Sequence, residues 1–315
     1  MYKEKRISQS EFVPIRGLRY HVQRWQGQPG AGVGLPPLVL LHGWMDVAAS
    51  WQFMVDALSG NFAAGRTIIA PDWRGFGQTR YGSHAQPSGA GQDYYWFPDY
   101  LADLDFLLDQ LAPGQAVDLC GHSMGGNIAM LYAGIRPKRI RRLINLEGFG
   151  MPPTQPVEAA GRYAAWMNEV KNLHGGALSL KGYDSVEGVA RRLMKTNPRL
   201  PADKAAWLAS RWARPDESGQ WQILGDPAHK IPSAQLYRVD EVLEIYKCIS
   251  APMLSVEAAD DSPARFWKGA YTLADYHERL KIVPQAKVAV IQDAGHMLHH
   301  DQPLALAQQI ESFLA

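Results

Sequence analysis

The sequence predicts an α/β protein, a mostly parallel sheet with helices on both faces and a helical insertion. Three observations predict it. Short apolar runs alternate with longer segments whose apolar residues recur every three to four positions, the mark of strands alternating with covering helices. The alternation stops near residue 150 and resumes near 250. The chain has 315 residues, 46% hydrophobic and 20% charged, enough for one large core with a smaller inserted unit.

The elements follow in order. LRYHVQRW (18–25) alternates as a strand does. PLVLLHG (37–43) is a continuous apolar run ending in a Gly turn, and WQFMVDAL (51–58) has helical spacing. TIIAPD (67–72) is a β-branched run, and FPDYLADLDFLLDQL (97–111) is a helix by its three-and-four repeat. AVDLC (116–120) reads as a strand, NIAMLYAGI (127–135) as a helix and RRLINLEG (141–148) as a strand. The intervening YGSHAQPSGAGQDYYW (81–96) is turn-rich and is expected to be mobile.

Residues 150–245 break the pattern. They open on MPPTQP, carry helical stretches rich in Ala, Trp and Arg, and turn around Asp226-Pro227, with no core-type strand run. They are expected to form a helical lid, leaving 1–149 and 246–315 as the core. Alternation returns with PMLSVEA (252–258), a helix, AKVAVIQDAGH (286–296) and the closing helix PLALAQQIESFL (303–314).

The formal net charge of +1 recommends neither nucleic acid nor an anionic membrane as partner. No run approaches the roughly 18 apolar residues of a membrane span, and MYKEKRISQSEF has no apolar region of a secretory signal. The two cysteines, Cys120 and Cys248, read as buried thiols in a reducing, cytoplasmic compartment, and cannot build a metal site by themselves.

Gly121-His122-Ser123-Met124-Gly125 places a hydroxyl between glycines where a strand passes into a helix. A serine on so sharp a turn needs tiny residues two before and two after it, and the helix N-terminus beneath supplies free N–H groups. Ser123 is read as a nucleophile rather than a helix cap. A serine hydroxyl needs a base. His296, just past the last apolar strand, would stand over the same sheet edge. His299 and His300 are expected to brace the last helix, His122 to point into neighbouring loops, and His42 to support its own loop.

The base needs an acid to fix its tautomer. Asp261, after PMLSVEA, and Glu147, ending RRLINLEG, both lie at carboxyl ends of strands. Asp261 is favoured, because it falls between nucleophile and histidine in the order Ser…Asp…His. Glu147 stands as the alternative acid or a substrate contact. Backbone N–H groups of Trp44 and Met124 would form an oxyanion hole, with the Trp44 ring lining an acyl pocket.

LLHGWMDVAASW, APDWRGFGQT, GHSMGG and DAGHMLHHDQP together, in this order, resemble the α/β-hydrolase family. The resemblance covers 38–148 and 250–315, and HGWMD with the FPDYLADL helix is most similar to serine hydrolase-like proteins. The resemblance implies an α/β-hydrolase fold of eight strands, a lid after the sixth, and a hydrolase without cofactor or metal that carries Ser123, Asp261 and His296. Some relatives take the acid from the end of the sixth strand, where Glu147 stands. Ser123 argues against epoxide opening and halide displacement, which use Asp in its place.

The expected function is hydrolysis of a carboxylic ester, thioester or lactone through an acyl-enzyme on Ser123. Trp166, Trp207, Trp212 and Trp221 suggest a small-molecule ester with an apolar group. A C–C bond hydrolase with the same triad, using Arg162, Arg191, Arg211 or Arg238 for a substrate carboxylate, is the alternative. A ligand-binding receptor on this fold is a third reading.

Overall fold

The computed structural model describes residues 2–27, 35–82 and 92–315. Most of the segment expected to be mobile, residues 83–91, lies outside the described residues.

The main-sheet strands are β1 (Gln9–Ile15), β2 (Leu18–Trp25), β3 (Leu38–Leu41), β4 (Ile68–Pro71), β5 (Arg80–Tyr81), β6 (Val117–His122) and β7 (Ile140–Leu146). After a two-stranded ribbon, β8 (Ala213–Pro215) and β9 (Trp221–Ile223), come β10 (Met253–Ala258) and β11 (Ala286–Ile291). The sheet order is β1-β2-β4-β3-β6-β7-β10-β11, with β5 beside β2. The eight strands expected are thus present, and the two-residue β5 makes a ninth. β2 is antiparallel to β1, β4 and β5; the six strands from β4 to β11 are mutually parallel. β1 and β2 meet through Arg16 and Gly17, both at positive φ (48° and 79°), the two-residue turn whose twist suits a hairpin.

The order around β3 positions the site. β4 flanks β3 on one side and β6 on the other, so the chain departs in opposite directions and leaves a crevice at the carboxyl ends of β3 and β6.

Helices α1 (Gln52–Ala57), α2 (Gly60–Ala64), α3 (Phe97–Leu111) and α4 (Met124–Ile135) precede the insertion. β3 shows why the sheet needs two helical layers. Val39 and Leu41 join one buried cluster with Leu104 and Leu108 of α3 and Ile128 and Ala129 of α4. Leu38 and Leu40 join another with Met54 and Val55 of α1. Alternate side chains point to opposite faces, and both faces are apolar.

The insertion carries α5 (Ala159–His174), α6 (Val186–Thr196), α7 (Ala202–Trp212), β8 and β9. Helix α8 (Val239–Lys247), expected at its end, instead packs on the core. A Cβ on Gly134 of α4 would meet the Ile245 carbonyl oxygen at 2.2 Å, so this glycine permits the close approach. Helices α9 (Ser262–Trp267), α10 (Leu273–Leu280), α11 (Leu298–Asp301) and α12 (Pro303–Leu314) complete the core, α12 burying Leu306, Ala307, Ile310 and Leu314 in the second cluster.

A third cluster joins α6 and α7 to the segment after β3: Val189, Leu193, Trp207 and Leu208 pack on Val47, Ala49 and Phe53. α5 buries no residue fully. The insertion's tryptophans mostly pack it onto the core. Trp207 donates to Glu4 and lies edge-on to Tyr2, Trp212 donates to Asp46, and Trp166 faces Tyr94 and Trp96. Cys120 is buried, but Cys248, at the end of α8, is exposed, contrary to the sequence expectation. No helix among the described residues is long and apolar enough to cross a membrane.

Candidate active site

Ser123 joins β6 to α4 with φ 52° and ψ −115°, a conformation a non-glycine residue holds only under tertiary constraint. The neighbouring glycines explain how it is held. A Cβ at Gly121 would lie 2.2 Å from the Gly125 oxygen, and one at Gly125 would lie 2.3 Å from the Leu41 oxygen. Strand, turn and helix are packed backbone to backbone. The Ser123 N–H donates to the Leu146 carbonyl at 2.8 Å, which fastens the turn to β7.

His296 follows β11 on the loop to α11. The Ser123 Oγ hydroxyl faces His296 Nε2 at 3.0 Å, and His296 Nδ1 faces Glu147 Oε2 at 3.2 Å. With a carboxylate on Nδ1, that nitrogen carries the proton and Nε2 accepts from serine. Glu147 is almost fully buried at the end of β7, its backbone at φ 57°. Its other oxygen, Oε1, accepts the Ala258 N–H of β10 at 2.7 Å, which fixes the carboxylate plane toward the histidine.

This arrangement corrects the choice of Asp261. That residue is exposed and caps α9, accepting the Ala264 N–H on Oδ1 at 2.8 Å. The sequence held a signal for this. Asp261-Ser262-Pro263 is a capping residue two positions before a proline, a helix start. Neighbouring Asp260 is spent on a two-pronged pair with Arg199.

The segment after β3 lies against the serine. A Cβ at Gly43 would be 3.3 Å from Ser123 Cβ. His42 is buried and spans the loop: its Nδ1 donates to the Gly43 carbonyl at 2.7 Å and its Nε2 accepts the Trp73 N–H at 2.9 Å. Burial lowers its pKa, in keeping with this neutral tautomer. Trp44 and Met124 each present a backbone N–H with no acceptor among the described residues. The Trp44 ring is half exposed and donates to the His229 carbonyl of the insertion at 3.3 Å. Of the six non-glycine residues with positive φ among those described, Met45, Ser123, Glu147 and Asp293 lie on the loops of this site, so the backbone strain is concentrated there.

Asp72 holds these loops from below. It accepts Ala48 N–H, Gln78 N–H and His21 Nδ1–H, all within 2.8 Å. Gly77 is required beside it, because its Cβ would fall 2.1 Å from the Asp72 carboxylate. Arg74 grips buried Asp103 with two hydrogen bonds of 2.6 and 2.7 Å. The resemblance's Asp-x-Arg-Gly-x-Gly segment is thus a scaffold for the site.

His122 donates from Nε2 to the His296 carbonyl at 2.7 Å and so steadies the histidine loop. Burial, then the charges of His299 and His296, push its pKa well down. His299 and His300 do not brace the last helix, as the sequence suggested. His299 packs on Trp51 and His122, and His300 on Phe53, all beside Asp46 of the segment after β3. Burial lowers His300 to about 3. Asp46 goes the other way. Burial disfavours its charge, but the surrounding His299, His300 and His42 hold its pKa below the usual carboxylate range.

The mouth carries exposed apolar side chains. Phe266, 47% exposed, sets its ring edge-on to His296 at 4.8 Å, and Trp44 is 51% exposed. Of the four arginines considered for a substrate carboxylate, Arg211 pairs with Glu4 and Arg238 with Asp240.

A family model described as alpha/beta hydrolase fold matches residues 36–303. The chain is 26% identical over 314 residues to a serine hydrolase-like protein of Danio rerio, covering 98% of this chain and 89% of that one. It is 27% identical over 290 residues to an sn-1-specific diacylglycerol lipase of Mus musculus, covering 89% and 81%. A thioesterase domain from the curacin biosynthetic pathway superposes with a TM-score of 0.77 at 23% identity, over 97% of this chain and 99% of the domain. Four sequence motifs, a β3-centred switch of strand direction and a family match across most of the chain agree: it belongs to the α/β-hydrolase fold family and is an enzyme of that family.

Proposed function

We propose that this enzyme hydrolyses a carboxylic ester, or a related thioester or lactone, through an acyl-enzyme on Ser123. The observation that carries the reading is the chain of contacts from Ser123 Oγ to His296 Nε2 (3.0 Å) and from His296 Nδ1 to Glu147 Oε2 (3.2 Å). A serine so placed is a nucleophile with its base in reach and that base oriented by an acid.

In the proposed reaction Ser123 Oγ attacks the acyl carbonyl carbon as its proton passes to His296 Nε2. The carbonyl oxygen becomes an oxyanion and rests on the Trp44 and Met124 N–H groups, which have no competing acceptor among the described residues. Glu147 stabilises the imidazolium. The leaving alcohol takes the proton from Nε2 as the tetrahedral carbon collapses to the acyl-enzyme. Water then attacks the acyl carbon as its proton passes to the same nitrogen, and Nε2 returns that proton to Ser123 Oγ as the carboxylic acid leaves.

Exposed Trp44 and Phe266 beside the serine and histidine favour an apolar group at the mouth. The insertion serves as a lid, fastened at the Leu224–His229 segment. There the Gly77 N–H donates to the Leu224 carbonyl at 2.8 Å, and His229 lies sandwiched between Phe76 and Tyr95, each 3.8 Å away. The relatives named as a diacylglycerol lipase and a thioesterase fit acyl transfer to water.

The test is a short-chain p-nitrophenyl ester assay combined with fluorophosphonate labelling and peptide mass spectrometry. Turnover with label on Ser123 is expected, and Ser123→Ala should lose both. Turnover that survives Ser123→Ala would sink the mechanism.

A further inference from the structure

Behind the segment after β3, a group of polar side chains is buried that ester hydrolysis does not use. One ligand atom from each of Asp46, His299 and His300 lies within 4.8 Å of the other two. The three residues are 4%, 1% and 3% exposed. Asp46 Oδ2, His299 Nδ1 and His300 Nε2 have no hydrogen-bond partner. Asp46 Oδ2 stands 3.9 Å from His299 Nε2, too far for a hydrogen bond, and the two imidazole rings lie 4.3 Å apart. Buried polar atoms are nearly always satisfied, so the orphaned Asp46 Oδ2 and His300 Nε2, with His299 Nε2 turned toward the same carboxylate oxygen, call for a common partner.

We propose that Asp46, His299 and His300 form a buried site for one divalent cation of the zinc class. The donor chemistry selects that class. Two imidazoles and one carboxylate suit zinc and its first-row neighbours, whereas calcium and magnesium demand mostly oxygen. The spacing is near what is needed. Ligands about 2.1 Å from a tetrahedral ion sit somewhat over 3 Å apart, so the side chains would close by about 1 Å.

The surroundings fix the donors as second-sphere partners of metal ligands do. Asp46 Oδ1 is held by the Val47 N–H and by the Ser50 hydroxyl, and also by Trp212 Nε1–H at 3.2 Å, which leaves Oδ2 to point at the rings. The Ser50 backbone lies beside His300. An ion here would tie the segment after β3 to the histidine loop and, through Trp212, to the insertion. The site stands whether or not the proposed ester chemistry does.

The test uses the full-length protein, stripped with a chelator and dialysed. Titration with zinc chloride in a calorimeter should show one ion per chain. Zinc at 100-fold over its Kd should raise Tm by about 5 °C. His300→Gln and Asp46→Asn, each checked for native circular dichroism, should lose the heat and the Tm shift. X-ray absorption of the zinc-loaded wild-type protein needs no variant to fold, and should show two imidazoles in the first shell. Three results would overturn the proposal: no heat and no Tm shift, binding undiminished in both variants, or a first shell without two imidazoles. The first would leave the orphans to buried water.

Discussion

Glu147 and His296 meet at 3.2 Å although 149 residues separate them, and the contact brings the end of β7 to the loop after β11. β10 lies between these strands in the sheet. The glutamate crosses that gap because its backbone turns at φ 57° and the Ala258 N–H of β10 holds its second oxygen.

Glu147→Gln is expected to lower kcat on a p-nitrophenyl ester by about 10³-fold or more, because the amide no longer fixes the Nδ1–H tautomer. Asp261→Asn should stay within about threefold of wild type, because asparagine caps a helix as well as aspartate does. Steady-state kinetics of the two variants decide the point, and the reverse ranking would return the acid to Asp261.

Ser123 is expected to cost stability for the sake of its position. Its φ of 52° and ψ of −115° favour glycine, and such strain is of order 1–3 kcal/mol. Ser123→Gly should therefore raise the unfolding free energy by about 1 kcal/mol while abolishing turnover. Chemical denaturation beside Ser123→Ala, which keeps the strain, measures the difference. Equal stability of the two variants would remove strain as the explanation.

The buried pair beneath the site should matter more than surface pairs. Asp103 is fully buried and receives Arg74, Arg16 and the Tyr20 hydroxyl. Asp103→Ala leaves the buried Arg74 guanidinium with only the longer contact to Asp99 at 3.3 Å, at a cost of about 3 kcal/mol. Lys281→Ala, which breaks an exposed pair with Glu278, should change stability by less than about 0.5 kcal/mol. Urea unfolding of each variant checks the contrast.

The protein should lose stability in mild acid. His229 is held to about 3 by burial, against about 6.5 in an unfolded chain. Between those values the unfolded chain binds the proton and the folded chain does not, so stability falls as pH drops from about 6.5. His229 should account for up to about 2 kcal/mol between pH 6.5 and 5. The slope of unfolding free energy against pH should flatten by about one proton in His229→Gln. An unchanged slope would show that His229 titrates normally in the fold.

The sequence by itself determined the layers and brought out Ser123 and His296 as the residues that meet at the sheet edge. Those features are local. Short, nearly continuous apolar runs commit β3 and β6 to a sheet buried on both faces, and Gly121 and Gly125 flank Ser123 because no larger residue fits between backbones 2.2 to 2.3 Å from where a Cβ would stand. His296 announced itself by following the last strand.

What only the tertiary structure decided was which side chains face each other across strands. Asp261 and Glu147 are both acids at strand ends; chain order favoured Asp261, whereas Glu147 is the one that meets His296. The choice rests on the order β7-β10-β11, on the left-handed backbone of Glu147, and on a helix cap that occupies Asp261. The pairing of His299 and His300 with Asp46 is of the same kind, since more than 250 residues part them. Motifs record what a residue needs from its neighbours in the chain, but a contact between distant loops depends on how the sheet stacks their strands.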